Sequence, residues 1–244
     1  MTTARIMTYN IQHCRGSDGQ INPDRILNVI ADTAPDIIAI QELASAHQVD
    51  ILPYLAERLG LSIFRDAGGG PLAYLSFFPL KAVQNFDLGF GGQCLRADVE
   101  LGGKRLHLLN ICLDSFPSFR SHQVANLLGP ELLGNPSLGC PALILGDFAD
   151  YFWGAGNLEL ASILRRTRRP VWRGTYPSRL PIFGRDRAYL RGEVRVLEAS
   201  INRSYLARQA SSHLPLTMTV QVTDTRRSLR LRPLAGGRME AAPG

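Results

Sequence analysis

The sequence predicts a four-layer α/β sandwich: two packed mixed β-sheets with helices on both outer faces. Three observations predict it. Near the N-terminus, apolar strand-like runs alternate with segments of helical period, the pattern of strand–helix–strand passages. The middle third is a series of short strands broken by Gly and Pro, which suggests antiparallel meanders. No linker or short repeat divides the 244 residues, and two-layer β folds reach that length as one domain. Packing sheet on sheet with covered outer faces is the economical way to bury so many apolar strands.

Arg5 to Asn10 is an apolar, β-branched run that reads as a core strand whose last residue emerges at one edge. Gly16 to Pro23 is a loop of turn residues. Asp24 to Ala34 places Ile26, Leu27, Ile30 and Ala34 on one helical face, and Pro35 ends it. Asp36 to Glu42 is a buried strand with polar residues at its C-terminal end. Val49 to Leu59 is a second amphipathic helix, closed by Gly60. Short strands are expected at Leu72–Leu75, Ala82–Phe86, Cys94–Leu101 and Arg105–Cys112. A helix follows over Arg120–Leu133, a strand over Cys140–Leu145 and a short helix over Leu158–Leu164. The last strands are Ala188–Leu190, Glu193–Ala199 and Leu216–Val222. Residues 1–222 form the expected domain, and 223–244 a basic Gly- and Pro-containing tail that frays.

Composition narrows the function. The formal charge is +6 and the pI about 9.5, a balance that favours anionic partners. No apolar run approaches the ~20 residues of a membrane helix. The N-terminus enters a strand at once and carries no secretory signal, so a cytoplasmic protein is expected. Cys14, Cys94, Cys112 and Cys140 form no CxxC pair, which argues against a zinc site of usual spacing and for free thiols. The arginine clusters at 165–169 and 226–232 read as solvated surface or tail charge. They lack the interleaved aromatics of a single-strand stacking platform, so nucleic acid has no clear motif here.

The informative feature is where polar residues fall. Asn10, Gln41-Glu42, Asn110, Asp147 and Ser212-His213 each sit at or just after the end of an apolar strand. Strand ends share a rim, so such groups converge on one site. The motifs carrying them are Met7-Thr8-Tyr9-Asn10-Ile11, then Pro35-Asp36-Ile37-Ile38-Ala39-Ile40-Gln41-Glu42, and Leu145-Gly146-Asp147-Phe148. Thr175-Tyr176-Pro177-Ser178, Asp186-Arg187 and Ser212-His213-Leu214-Pro215-Leu216 follow in order. Together, over residues 5 to 222, the chain resembles the endonuclease/exonuclease/phosphatase family, of DNase I-like fold and in a bacterial-type form.

The resemblance implies a four-layer α/β sandwich and a metal-dependent phosphoesterase or phosphodiesterase acting on a phosphate ester. It implies Glu42 as the ligand of Mg²⁺ (or Mn²⁺), with Asn10 orienting Glu42 and contacting metal or phosphate. The bland reading of Asn10 is an Asx turn closing its strand. Asp147 matches the carboxylate that orients the attacking water; otherwise it is a turn residue or helix cap. His213 matches the His at the scissile phosphate, and Asp186 its carboxylate partner. Asn110 is a further substrate-binding candidate.

Three positions depart from the family pattern. Ala149 stands where the Gly-Asp-Phe-Asn motif has its phosphate-contacting Asn. Ser212 stands where Ser-Asp-His has Asp. Cys112 replaces the His or Tyr that contacts phosphate. Ala offers no donor or acceptor, Ser no charge, and a thiol only a weak donor. Two readings therefore stand: an impaired or specialised hydrolase, and a pseudoenzyme kept as a binding or regulatory module.

Overall fold

The computed structural model describes residues 3–43, 50–136, 138–151, 155–166 and 174–223. Strands and helices are numbered in chain order. One six-stranded sheet joins β1 (Thr3–Asn10), β2 (Ile37–Gln41), β3 (Ser62–Phe64), β4 (Ala73–Ser76), β11 (Val194–Ile201) and β12 (Leu216–Val222), in the order β11-β12-β1-β2-β4-β3. The other joins β5 (Leu80–Gly89), β6 (Gly92–Leu101), β7 (Lys104–Cys112), β8 (Ala142–Asp147), β9 (Arg165–Arg166) and β10 (Asp186–Arg191), in the order β5-β6-β7-β8-β10-β9. Each sheet has one parallel pair, β1 with β2 and β7 with β8, flanked by antiparallel neighbours. The two sheets repeat the same sequence of strand relations.

Alternation along the strands builds the layers, because successive side chains leave opposite faces. Ile6, Ile37 and Ala39 from the first sheet meet Leu106, Leu108, Leu143 and Leu145 from the second in a core between the sheets. Met7, Tyr9, Ile38 and Ile40 point outward, under α1 (Pro23–Thr33), α2 (Leu52–Leu59) and α5 (Tyr205–Ala210). Leu109, Ile111, Ile144 and Tyr189 point outward on the second sheet, under α3 (Pro117–Leu128) and α4 (Ala155–Ile163). This is the expected sandwich of helix, sheet, sheet and helix.

Some boundaries move for clear reasons. The expected helix over 120–133 begins instead at Pro117, whose fixed φ and missing N–H suit a first helical turn, and it stops at Leu128 before Gly129. The expected strand over 140–145 becomes 142–147, so Gly146 and Asp147 lie within β8. Strands β3 and β9, helix α5 and a 3₁₀ turn at Gln12–Cys14 were not foreseen. The expected start of the second helix at Val49, Arg168 and Arg169, and the tail with its arginines lie outside the described residues. All four cysteines are free. No helix among the described residues is long and apolar enough to cross a membrane.

Candidate active site

Parallel pairing sets the strand ends side by side. Asn10 of β1 lies in register with Gln41 of β2, and Cys112 of β7 with Asp147 of β8. Glu42 follows β2 with φ of 52°, and Ala149 follows β8 with φ of 49°. Non-glycine residues in this left-handed region are uncommon, and they gather where a chain must aim a side chain or turn sharply. Gly146, at φ 145°, is required by close approach, because a Cβ there would collide with the carbonyl oxygen of Ile111 on β7. The glycine lets β8 press against β7 and deliver Asp147 to the rim.

Five of the expected residues converge. The Asn10 amide nitrogen donates to Glu42 Oε1 at 2.9 Å and to Asp147 Oδ2 at 3.1 Å, which ties the two sheets together at the site. Its oxygen accepts from the Gln12 N–H at 3.0 Å, the Asx turn of the bland reading. Asn10 therefore turns a donor, not an oxygen ligand, toward the carboxylates. Asp147 makes a similar turn, accepting from the Ala149 N–H at 2.8 Å. His213 Nδ1 lies 2.9 Å from Asp186 Oδ2, and its Nε2 lies 3.8 Å from Asp147 Oδ2. Ser211 fixes this closing loop on β1 by donating to the Asn10 carbonyl at 2.8 Å and accepting from the His213 N–H at 3.1 Å.

Asn110 belongs elsewhere, and its expected substrate-binding role is corrected. It lies two residues before the end of β7 and faces the core between the sheets, fully buried. Its oxygen accepts from Gln41 Nε2 at 2.6 Å, and its nitrogen donates to the carbonyls of Ile40 at 2.9 Å and Ala73 at 3.2 Å. Its amide is spent in stapling the sheets.

Sequence reasoning missed Arg185, which forks onto Asp147 with Nε at 3.2 Å from Oδ1 and Nη2 at 2.8 Å from Oδ2. Its guanidinium carbon lies 4.8 Å from the centre of the Tyr176 ring, which itself leans on the His213 ring at 4.9 Å. The signal was an arginine directly before Asp186. Strand alternation counted from Asp186 sends it to the opposite face, but Arg185 precedes β10 and escapes that rule.

Burial and charge oppose each other here. Desolvation pushes the Asp147 carboxyl up, and His213 and Arg185 more than reverse it, so its pKa is lowered. Burial pulls the His213 imidazole down, and Asp186 and Asp147 more than reverse that, so its pKa is raised. The Cys112 thiol is pushed well above its usual value by desolvation, then by the charges of Asp147 and Glu42. It is a neutral thiol at pH 7 and not an activated nucleophile.

Glu42, Cys112 and Asp147 bring possible ligand atoms within 4.8 Å of one another. With the thiol protonated, the useful donors are carboxylate oxygens, which suit a hard cation such as Mg²⁺. Arg185 and protonated His213 offset two of the three carboxylates. Glu42 pairs with no protein cation among the described residues, so the donor set fits one divalent ion on Glu42.

The family model of the Endonuclease/Exonuclease/phosphatase family matches residues 7–220. The chain belongs to the endonuclease/exonuclease/phosphatase family. No curated protein matches it. Among solved structures of this fold, the Bacteroides thetaiotaomicron mannosyl-6-phosphatase is 17% identical, with a TM-score of 0.74 over 89% of this chain and 99% of that one. The human Nocturnin catalytic domain with bound sulfate anion is 19% identical, with a TM-score of 0.71 over 91% and 94%. D. rerio TDP2 complexed with single-strand DNA product is 16% identical, with a TM-score of 0.72 over 91% and 100%. At such identities the likeness is one of fold, and this family fold is present in the chain over nearly its whole described length.

Proposed function

We propose that the chain is a divalent-metal-dependent phosphoesterase. The observation that carries this reading is the convergence of Glu42, Asp147 and the Asp186–His213 pair around Asn10. Glu42 would hold Mg²⁺ or Mn²⁺, with Asn10 fixing its carboxylate. When bound, the ion supplies Lewis-acid polarisation of a phosphoryl oxygen. Asp147, kept ionised, orients a water toward phosphorus. Asp186 holds His213 Nδ1, which leaves Nε2 to donate toward the phosphoryl oxygens as charge builds there. Solved structures of the fold include a sugar phosphatase and a protein held with a DNA product, so monoesters and diesters both fit the reading. With no clear nucleic-acid motif, a small phosphodiester or a lipid headgroup is the substrate favoured here.

One observation favours the second reading, a pseudoenzyme that binds without turnover: Arg185 takes both oxygens of Asp147. Hydrolysis of bis(4-nitrophenyl) phosphate and of 4-nitrophenyl phosphate in Mn²⁺ separates the two readings. Metal-dependent turnover by the wild type, lost in Glu42→Gln, supports the enzyme. A silent wild type that gains activity on combining Cys112→His, Ala149→Asn and Ser212→Asp supports the binding module.

A further inference from the structure

The Arg185 guanidinium is nine-tenths buried, and it stands within the site between two tyrosines, 4.8 Å from the Tyr176 ring centre and 5.7 Å from that of Tyr151. An arginine carries five N–H donors in a fixed plane, and the fork onto Asp147 uses two of them. The remaining donors, on Nη1 and on the second hydrogen of Nη2, meet no acceptor among the described residues. The side chain keeps about a tenth of its surface exposed, so these donors stand open to a ligand entering the site.

The backbone around Arg185 is held on both sides. Its carbonyl accepts from the Phe148 N–H at 3.0 Å. The next N–H, of Asp186, donates to Thr175 Oγ1 at 3.1 Å. The neighbouring Arg187 bonds the carbonyls of Gly184 at 2.6 Å and Asp150 at 2.7 Å. The guanidinium is a fixed part of the site floor rather than a mobile surface charge.

The side chains that should meet phosphate are missing nearby. Cys112 offers only a thiol, a weak donor, and Ala149 is fully buried with no polar side-chain atom. We infer that Arg185 is the phosphate ligand of this site: one edge of its plane neutralises Asp147, and the unspent donors take non-bridging oxygens of a phosphoryl group in place of the groups lost at 112 and 149. Planar, doubly donating arginine is the side chain best shaped for that contact. The inference rests on the reading of the site as one for phosphate esters.

Binding of inorganic phosphate to metal-free protein, measured by calorimetry, tests it. Arg185→Gln is expected to weaken phosphate binding at least about tenfold, the loss of charge-assisted hydrogen bonds. Arg185→Lys keeps a charge beside Asp147 but loses the fork, and it too should bind phosphate more weakly. It decides the matter if the Gln variant does not fold. Unchanged phosphate affinity in Arg185→Lys overturns the inference, as does tighter binding in Arg185→Gln, which would make Arg185 a latch over Asp147. Either result leaves the proposed enzyme standing if Mn²⁺ still binds at Glu42. A wild type that binds neither phosphate nor Mn²⁺ overturns both.

Discussion

At the scale of single residues, Glu42 and Asp147 occupy similar strand ends but face different surroundings. Asp147 is fully buried and braced by Arg185, His213 and Asn10. Glu42 is half-buried, and the one described hydrogen bond to its carboxylate comes from Asn10. Charge balance therefore makes Glu42 the carboxylate that would take a cation. Cys112 lies beside both carboxylates, and its thiol is neutral. Cys112→Ala should hold turnover within about threefold, against the ~10²-fold loss that follows removal of an acid–base or electrostatic group. A loss of that larger size, measured with 4-nitrophenyl esters, would mean that the thiol takes part in the reaction. The His213–Asp186 contact was legible because both residues sit in motifs whose order along the chain is characteristic. The place of Asn110 was not, because nearness to a strand end says nothing about which face a residue takes. Its parity with Leu106 and Leu108, which point between the sheets, is what sends it into the core.

Among the elements, β8 does the most to shape the site. Its neighbour β7 approaches so closely that only glycine fits at 146. Gly146→Ala should cost more than about 2 kcal/mol, because a Cβ meets backbone that has no flexible end to move and φ is positive as well. Urea unfolding measures this; a cost below about 0.5 kcal/mol, the range of an unremarkable surface change, would show that β7 and β8 separate easily. The periods of 2 and 3.6 in the sequence located most strands and helices, since they reflect which face each element buries. Helix α5 has only six residues, too few to show a helical stripe, and its start depends on the Ser204 cap, which accepts from the Ala207 N–H at 3.2 Å. Strand β9 has two residues and exists through pairing with β10, so no local pattern marks it.

Across the whole molecule, the four layers were legible because apolar runs were too many and too short for one sheet. The strand order shared by the two sheets was not, since it resides in pairing rather than in repeated residues. It matters because it brings the ends of two parallel strand pairs together and spans them with Asn10. Stability of the metal-free protein should carry the mark of that junction. The Asp147 pKa is lowered on folding, so its contribution is present above the unfolded carboxylate value of about 3.9 and is lost as pH falls through the folded value. The His213 pKa is raised, so its contribution is present below about 6.5 and is lost as pH rises through the folded value. Urea midpoints should therefore be highest between about pH 4 and 6.5 as far as this pair is concerned. His213→Gln should flatten the alkaline limb and Asp147→Asn the acid limb; limbs unchanged in both variants would contradict the charge pairing.

The most direct measurement is titration calorimetry of Mn²⁺ and Mg²⁺ into the wild type and into Glu42→Ala. A divalent ion held at the junction of the two sheets requires saturable binding by the wild type that Glu42→Ala abolishes. No binding at millimolar metal, or equal binding by both proteins, would contradict it.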